Sequence, residues 1–410
     1  MAKILVYTSP ARGHLYPITP TLDELRRRGH DVVLRTLASQ VETMRARGFD
    51  AAPISPAIEA IEHDDYQART PLGALKRGIA LFARRAEHEI PDLRAAISDE
   101  SPDLLLVDGQ TWGGLSCAEA WGGPWAAWLP YPIPLSSPDV PPFGPGLAPA
   151  RGAPGRLRDR VLRPMLRRSF EGAMLPQLNA VRGGLHLGPL AGVDDLFTRP
   201  PALLYLTAEP FEYPRTDWPE NIRMIGPGTW DPPAEPPAWL AEIDRPIVLV
   251  TTSSEFQDDG RLVQTALEAL AHEDVHVVAT LPSADPAGFA APPNAHVLPF
   301  VPHAPILRHA ACAITHGGMG ATQKALAAGV PVCVVPFGRD QLEVARRVVV
   351  AGAGTSLKAG RLRPDRLRES VRKAMGMGDG ARRVAAAFAG AGGAPAGADT
   401  VEDLRGARVN

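Results

Sequence analysis

The sequence predicts an α/β fold with two domains, each built around a parallel sheet that helices cover on both faces. The chain has 410 residues, a length that suits two or three domains. Short apolar runs alternate with helical segments along most of it, and a proline-rich stretch divides this alternation into two halves. Two such domains joined by a stiff linker leave a cleft between them, which is the usual place for a ligand.

The first half contains five apolar runs with the length and composition of buried strands. Helical segments fill the intervals, and one of them is expected to begin at Ser39, whose side chain suits a helix N-cap. The predicted strands cover residues 3–8, 31–37, 103–107, 124–129 and 203–207, and the predicted helices cover residues 17–28, 71–98, 112–121 and 155–182. We expect the run at 203–207 to be the last strand of this half.

Residues 130–154 differ from the rest of this half, because nine prolines fall among them and they show no period. Loops of this length in compact domains are usually functional or disordered. A second proline-rich stretch, around residues 210–237, is typical of a linker between domains.

The second half repeats the alternation of strands and helices. The predicted strands cover residues 246–252, 275–281, 295–300, 311–315 and 330–335, and the predicted helices cover residues 260–271, 319–328, a segment from 381 and a short one at 399–405. We therefore expect an N-terminal domain at 1–214, a linker at 215–240 and a C-terminal domain at 241–380. Residues 381–410 would form a helical tail that is able to cross back to the N-terminal domain.

The most informative stretch of the second half begins at the turn His316-Gly317-Gly318, between a predicted strand and helix. Glycines before a helix free backbone N–H groups to face an anion, and the helix dipole favours negative charge there. We expect a phosphate group at this turn. Asp340 and Gln341 follow the next strand at the same edge of the sheet, and a carboxylate beside an amide suits the hydroxyls of a sugar.

His14 and Asp108 each follow a predicted strand of the first half. Because ligands of open α/β sheets lie outside the carboxyl ends of the strands, both side chains belong to the same edge. A histidine paired with a carboxylate forms a general base near neutral pH. The alternative is structural: His14 caps a loop and Asp108 ends a strand.

Composition and motifs exclude several classes of protein. The formal charge of −2 argues against a nucleic-acid partner. The three cysteines lie in apolar runs, typical of a reducing compartment, and no CxxC or HExxH motif indicates a metal site. We expect neither a signal peptide nor stable membrane insertion, and therefore a cytoplasmic location. The excess of Ala, Gly, Pro and Arg is typical of a bacterial source.

The stretch from His316 to Gln341 resembles the nucleotide-sugar signature of the GT-B-fold, family 1 glycosyltransferases, and Gly13-His14-x-x-Pro17 is similar to their N-terminal motif. The resemblance implies two Rossmann-like domains with parallel sheets facing across a cleft. It implies an inverting, metal-independent transfer with no cofactor, in which a nucleotide diphosphate sugar is the co-substrate. His14 would deprotonate an acceptor hydroxyl, and Asp108 would orient His14.

The resemblance also implies the binding residues on each side of the cleft. The expected donor-binding residues are Ser253, Ser254, Phe300, Val301, His316, Gly317, Gly318, Gly320, Ala321, Thr322, Asp340 and Gln341, and the expected acceptor-binding residues are Tyr16, Trp112, Tyr131, Pro132 and Phe143. Phe300 has a second interpretation as a plain core residue. The apolar content of residues 130–240 favours a bulky hydroxylated acceptor such as a polyketide or macrolide, and hence a role in antibiotic biosynthesis. A homodimer is possible.

Three positions depart from the family motif. Lys324 stands where a ribose-binding Glu is common, Ala321 replaces Ser, and Val344 replaces Asn. A lysine cannot accept hydrogen bonds from ribose hydroxyls. We therefore favour a dTDP-deoxysugar donor over a UDP-sugar, with Lys324 pointing to solvent or pairing with phosphate as the alternatives.

Other functions remain open at this point. The rivals are a glycolipid glycosyltransferase, a nucleotide-sugar epimerase, which needs no acceptor, and a non-catalytic auxiliary protein of the same fold. A nicotinamide dehydrogenase is disfavoured, because the loop from Ser9 to Pro17 lacks the Gly-x-Gly-x-x-Gly motif.

Overall fold

The computed structural model describes residues 1–406. The strands of the first half are β1 (Lys3–Tyr7), β2 (Asp31–Thr36), β3 (Asp50–Pro53), β4 (Leu104–Asp108), β5 (Trp125–Leu129), β6 (Leu203–Tyr205) and β7 (Ile222–Met224). The helices of this half are α1 (Arg12–Arg27), α2 (Ala38–Ala46), α3 (Pro56–Glu59), α4 (Pro71–Glu100), α5 (Trp112–Trp121), α6 (Gly152–Gly183) and α7 (Asp195–Thr198).

The second half follows the same plan. Its strands are β8 (Ile247–Thr251), β9 (His276–Thr280), β10 (Ala295–Leu298), β11 (Ala310–Thr315), β12 (Val332–Val334) and β13 (Gly354–Ser356). Its helices are α8 (Arg261–Leu270), α9 (His303–Leu307), α10 (Met319–Ala327), α11 (Gln341–Val350), α12 (Pro364–Met375), α13 (Gly378–Gly390) and α14 (Gly393–Gly406).

Two parallel sheets confirm the predicted fold class. The first has the strand order β3-β2-β1-β4-β5-β6-β7 and the second has the order β10-β9-β8-β11-β12-β13. In both sheets the order reverses beside the first strand of the half, β1 or β8. Every residue of β4, β5 and β8 is buried, as expected for strands that helices cover on both faces.

The predicted start of α1 is wrong, because the helix begins at Arg12 and not at Pro17. The rule that places proline in the first helical turn favoured the later start. The helix instead carries Pro17 and Pro20 inside it, because one of its faces is fully buried, at residues such as Leu15 and Ile18. Burial of an apolar face outweighs local propensity in most protein helices. His14 therefore lies in the first turn of a helix and not in a loop.

Four further predictions are corrected. Ser39 does not cap α2, whose N-cap is Leu37 and has no side-chain bond. The strand β6 is not the last of its half, because β7 pairs with it in parallel, and the predicted linker at 215–240 therefore includes a strand of the first sheet. The last helix, α14, begins at Gly393 and not at residue 399. The elements that had not been predicted are the strands β3, β7 and β13 and the helices α3, α7, α9, α11 and α12.

The tail of the chain lies against the first domain. The helix α14 packs on α1, where Arg28 Nη1 donates to Asp399 Oδ1 at 2.6 Å and to Glu402 Oε2 at 2.7 Å. His30 Nε2 lies 2.8 Å from Glu402 Oε1. Residues 407–410 of the predicted tail lie outside the described residues. No helix within residues 1–406 combines the length and apolar character needed to cross a bilayer.

Two glycines of α13 provide a test of packing in the second domain. A Cβ at Gly380 would lie 1.8 Å from the carbonyl oxygen of Gly352, whereas a Cβ at Gly390 would meet nothing within 4 Å. We expect Gly380→Ala to lower the free energy of unfolding by about 1–3 kcal/mol or more, because backbone must move. Gly390→Ala is the control, and we expect it to change stability by less than about 1 kcal/mol. Chemical denaturation of both variants measures the difference; equal midpoints would contradict the close contact.

Candidate active site

A cavity of about 1490 Å³ lies between the two domains, and residues of both line it. The first domain contributes His14 and Trp112, and the second contributes His316 and Asp340. The carboxyl ends of parallel strands, and the turns that follow them, supply these side chains, since β4, β11 and β12 each end shortly before one of them.

His14 and Asp108 are paired beside this cavity, although they lie 94 positions apart in the chain. His14 Nδ1 lies 2.8 Å from Asp108 Oδ1, and Asp108 is fully buried behind the histidine. The other oxygen of Asp108 accepts bonds from the backbone N and the hydroxyl of Ser9, at 3.0 and 2.6 Å. The backbone N of Gln110 donates to Asp108 Oδ1 at 3.0 Å. Because Asp108 engages Nδ1, the ring nitrogen left for a ligand is Nε2.

In this pair, each charged side chain stabilises the ionised form of the other. Burial lowers the pKa of His14, but attraction to Asp108 and the hydrogen bond between them raise it more, so that the pKa lies above its ordinary value. Burial raises the pKa of Asp108, yet the charge of His14 and the bonds from His14, Ser9 and Gln110 hold it below its ordinary value. A histidine of this kind accepts a proton readily near neutral pH.

The turn after β11 forms the opposite side of the cavity. Gly317 has φ of +98°, a conformation that favours glycine. A Cβ at Gly318 would lie 2.4 Å from His316 Nε2, so both positions require glycine for the turn to close. His316 is buried, its Nδ1 has no hydrogen-bond partner among residues 1–406, and burial lowers its pKa. The turn leads into the first residues of α10, and backbone N–H groups in the first turn of a helix have no partner within that helix.

Most of the predicted binding residues line the cavity. On the predicted donor side these are Ser253, Ser254, Phe300, His316, Gly318, Gly320, Ala321, Asp340 and Gln341, and on the predicted acceptor side they are Tyr16, Trp112, Tyr131 and Phe143. Phe300 is exposed, at 42% of its surface, and is not a core residue.

Four predicted residues do not line the cavity. Thr322 is buried and its hydroxyl lies 3.0 Å from the hydroxyl of Thr315, so its side chain points into the domain. Val301 and Pro132 are buried, and Gly317 lies against Gln341. The fine spacing of a turn decides which side chain faces a ligand, and the sequence did not resolve it.

Gln341 is held by the protein itself. Its Oε1 accepts bonds from the backbone N of Phe337 and Gly338, at 2.7 and 3.0 Å, and its Nε2 donates to Gln257 at 2.8 Å. The side chain therefore fixes the loop before α11. Asp340 is free of such bonds within the described residues, and burial raises its pKa.

Two ion pairs at the cavity were not predicted from the sequence. Lys324 Nζ pairs with Asp231 and donates to the carbonyl oxygen of Trp230 at 3.1 Å. Arg339, at φ of +54°, donates to both oxygens of Asp65 at 3.1 Å. Each partner lies more than ninety positions away in the chain, so no local pattern connects them. Lys324 thus neither points to solvent nor stands free for a phosphate.

The described residues contain no group of three or more His, Cys, Asp or Glu side chains arranged to hold a metal ion.

Comparison with known proteins identifies the family. The model for the C-terminal domain of erythromycin biosynthesis protein CIII-like proteins matches residues 264–404. A 4'-demethylrebeccamycin synthase from Lentzea aerocolonigenes is 35% identical over 389 residues, which cover 90% of this chain and 91% of that protein. The chain belongs to the GT-B-fold, family 1 glycosyltransferases.

More distant matches agree with this family. The demethyllactenocin mycarosyltransferase of Streptomyces fradiae is 24% identical over 98% of this chain and 87% of its own length. The structure of the spinosyn rhamnosyltransferase SpnG superimposes with a TM-score of 0.74 at 18% identity, over 98% of this chain and all of that one. The GT-B fold and the glycosyltransferase class predicted from the sequence are confirmed.

A buried carboxyl group supports the wall that carries Trp112. Glu89, on α4, is 2% exposed and accepts bonds from the backbone N of Gly113 at 2.8 Å and of Gly114 at 3.4 Å, in the first turn of α5. Burial raises its pKa to about 8. This contact could not be predicted from the sequence, because a Glu within a polar helix is ordinarily exposed.

We expect Glu89→Gln to stabilise the protein at alkaline pH. Since the folded pKa exceeds the unfolded one, the carboxyl group lowers stability as pH rises from about 4.5 to about 8, and a neutral amide does not. The free energy of unfolding should increase by on the order of a few kcal/mol at pH 9 and by much less at pH 5. Chemical denaturation at both values measures this, with the exposed Glu87→Gln as control. A gain independent of pH would contradict the assignment.

Proposed function

We propose that the chain transfers a sugar from a nucleoside diphosphate sugar to a hydroxyl group of a bulky, apolar natural product, with inversion at the anomeric carbon. The observation that carries the proposal is the His14–Asp108 pair, joined at 2.8 Å at the wall of a cavity whose other side is the turn at His316. A base and an anion site on opposite sides of one cavity suit a reaction with two substrates.

His14 is the proposed general base. Its Nε2 removes the proton of the acceptor hydroxyl while that oxygen attacks the anomeric carbon. The bond between this carbon and the diphosphate oxygen breaks, and the nucleoside diphosphate leaves with the electron pair. Asp108 holds the tautomer of His14 and stabilises the imidazolium that forms. One displacement from the face opposite the leaving group inverts the configuration.

The turn at His316 and the start of α10 are the proposed diphosphate site. Negative charge on the leaving group grows as the bond breaks, and backbone N–H groups at a helix N-terminus stabilise it. Asp340 is proposed to accept bonds from sugar hydroxyls, because Gln341 already uses its side chain to fix the loop.

The nucleoside is proposed to be thymidine, with a deoxysugar as the transferred group. Lys324 stands at the position where the family resemblance places a ribose-binding Glu. The carboxylate of Asp231 beside it already accepts hydrogen bonds from the protein. One oxygen of Asp231 pairs with Lys324, and the other accepts bonds from the backbone N of His303 and Ala304, at 3.1 and 3.4 Å. Lys324 is a donor only, and both oxygens of Asp231 already accept bonds from the protein. The neighbour SpnG, whose structure was determined with thymidine diphosphate, supports this choice.

The acceptor side of the cavity is largely aromatic and aliphatic. Phe82, Trp112, Tyr131 and Phe143 line it, and the rings of Phe82 and Trp112 lie 5.6 Å apart. Such walls suit an extended apolar ligand with few polar groups. The names of the rebeccamycin-related synthase and of SpnG in complex with spinosyn aglycone support a natural-product aglycone. Function without a cofactor, a cytoplasmic location, a bacterial source and a homodimer stay predictions.

The pH profile tests the role of the pair. Because Asp108 raises the pKa of His14, transfer should fall with decreasing pH along a limb whose midpoint lies above 6.5. His14→Ala should lower kcat by roughly 10²–10⁴-fold, since the base is lost. Asp108→Asn should lower kcat and move the limb to lower pH. Transfer from a dTDP-deoxysugar to the rebeccamycin aglycone and the spinosyn aglycone, followed by chromatography, provides the rates.

The controls of this experiment separate the alternatives. Glu87→Gln, exposed on α4, should leave the profile unchanged. Near wild-type transfer by His14→Ala would show that another group is the base. Conversion of the donor without any acceptor would indicate an epimerase.

A donor panel tests the nucleoside. We expect kcat/KM for a dTDP-sugar to exceed that for the matching UDP-sugar by roughly tenfold or more. A tenfold difference corresponds to about one hydrogen bond that the ribose hydroxyl of the UDP-sugar fails to make. The double variant Lys324→Glu, Asp231→Asn should lower this ratio in favour of the UDP-sugar. Lys324→Glu supplies a carboxylate that accepts hydrogen bonds from ribose hydroxyls, and Asp231→Asn avoids repulsion between two neighbouring carboxylates. Lys373→Glu, exposed on α12, is the control. Strong turnover of UDP-glucose with none of the dTDP-sugars would refute the proposal.

A further inference from the structure

The proline-rich loop, residues 130–151 between β5 and α6, contacts a buried carboxylate of the second domain. The backbone N of Gly144 and the backbone N of Gly146 both donate to Glu343 Oε1, at 2.8 and 2.9 Å. Glu343 belongs to α11 of the second domain and is 2% exposed. Two bonds from one loop to one buried, charged acceptor form a strong and directional contact.

Two further contacts fix the same turn of the loop. Arg346 Nε donates to the carbonyl oxygen of Gly146 at 2.7 Å. Gly146 has φ of +63°, and a Cβ there would lie 2.5 Å from the carbonyl oxygen of Leu342. The loop therefore lies directly on the backbone of α11, at a distance that only glycine permits.

The carboxylate of Glu343 is itself held in place. Arg347 Nη1 donates to Glu343 Oε2 at 3.0 Å, and Arg347 Nη2 donates to Glu212 Oε1 at 2.9 Å. All three side chains are at most 2% exposed, and Glu212 comes from the first domain, after β6. Buried charges that are paired and hydrogen-bonded in this way have one arrangement and not several. We call Glu343, Arg346 and Arg347 the loop clamp.

The loop clamp lies on the helix that begins at the donor side of the cavity. Asp340 is the N-cap of α11, and Glu343 N donates to the carbonyl oxygen of Asp340 at 2.9 Å. On the other side, Phe143 precedes Gly144 and lines the cavity. A single turn of helix thus separates a residue at the donor site from the residue that holds the acceptor wall.

We propose that Glu343 is a positioning residue for the acceptor: it holds the proline-rich loop on α11, so that Phe143 forms the acceptor wall in register with the donor site at Asp340. This inference rests on the proposed function, since it assumes that the Phe143 side of the cavity takes the acceptor. It assigns to the second domain, which carries the donor site, a part in acceptor binding.

Three variants test the loop clamp. In Glu343→Gln one amide cannot accept from the loop and from Arg347 at once, so one side loses its bonds. Arg346→Met removes only the bond to Gly146 and leaves the buried charges intact. Gly146→Ala drives the loop away from Leu342. The controls are Glu268→Gln, on the exposed face of α8, and Gly122→Ala, which has positive φ but no atom within 4 Å of its Cβ.

Kinetics and hydrogen exchange provide the readouts. KM for the rebeccamycin aglycone, or for the spinosyn aglycone if that is the better substrate, should rise about tenfold in the three variants, whereas KM for the dTDP-sugar should stay within about twofold. Amide hydrogen exchange at Gly144 and Gly146 should accelerate by about tenfold in the protein without substrates. A general loss of structure would move both KM values and the exchange of β4 and β8 as well.

The outcomes are distinct. Faster exchange of the loop with an unchanged acceptor KM would overturn the proposal, as would unchanged exchange in all three variants. If Glu343→Gln does not fold, Arg346→Met and Gly146→Ala decide. If the wild-type protein glycosylates neither aglycone, the proposed acceptor class fails, and the exchange data still show whether Glu343 holds the loop.

Discussion

The buried negative charge of Asp108 organises the first domain around its reactive edge. A carboxylate without access to water is costly unless donors surround it. Here the donors come from three places: Ser9 after β1, Gln110 after β4, and His14 in α1. Satisfying one charge therefore fixes the end of two neighbouring strands and the first turn of a helix. The orientation of the histidine follows from the same requirement.

The second domain meets this edge through contacts that are polar and specific. Gln323 Nε2 donates to the carbonyl oxygen of Leu206 at 2.9 Å, Arg339 pairs with Asp65, and Arg347 pairs with Glu212. Arg339 and Asp65 line the cavity, whereas the residues of the other two contacts do not. The three contacts join the two domains and leave the apolar walls of the cavity available for a ligand.

The sequence was sufficient for features that depend on local pattern. Apolar runs located ten of the thirteen strands within the described residues 1–406, and the exceptions are β3, β13 and β7, which lies within the predicted linker. The strand β7 has only three residues, Ile222 to Met224, which are too few to show an alternation of apolar and polar residues. The side of the first sheet on which His14 lies and the glycine turn at His316 could also be predicted, because both follow from the rule that ligand sites lie outside the carboxyl ends of the strands.

Contacts between residues that are distant in the chain could not be predicted from the sequence. Lys324 was interpreted from its own position, whereas its partner Asp231 lies in the segment that joins the domains. The start of α1 was misjudged because proline chemistry is local, and the burial that overrides it depends on the whole domain. The inward direction of Thr322 depends on Thr315 in the preceding strand. Each case needs the tertiary structure, since the deciding neighbour is set by packing and not by spacing.

The return of α14 to α1 makes the first domain discontinuous in the chain. Its outer layer includes a helix encoded after the whole second domain, and Glu402 reaches both Arg28 and His30 there. An exchange of N-terminal domains between relatives, as in the construction of chimeric enzymes, therefore requires two crossover points. A chimera with one crossover would pair α1 of one parent with α14 of the other, directly behind the helix that carries His14.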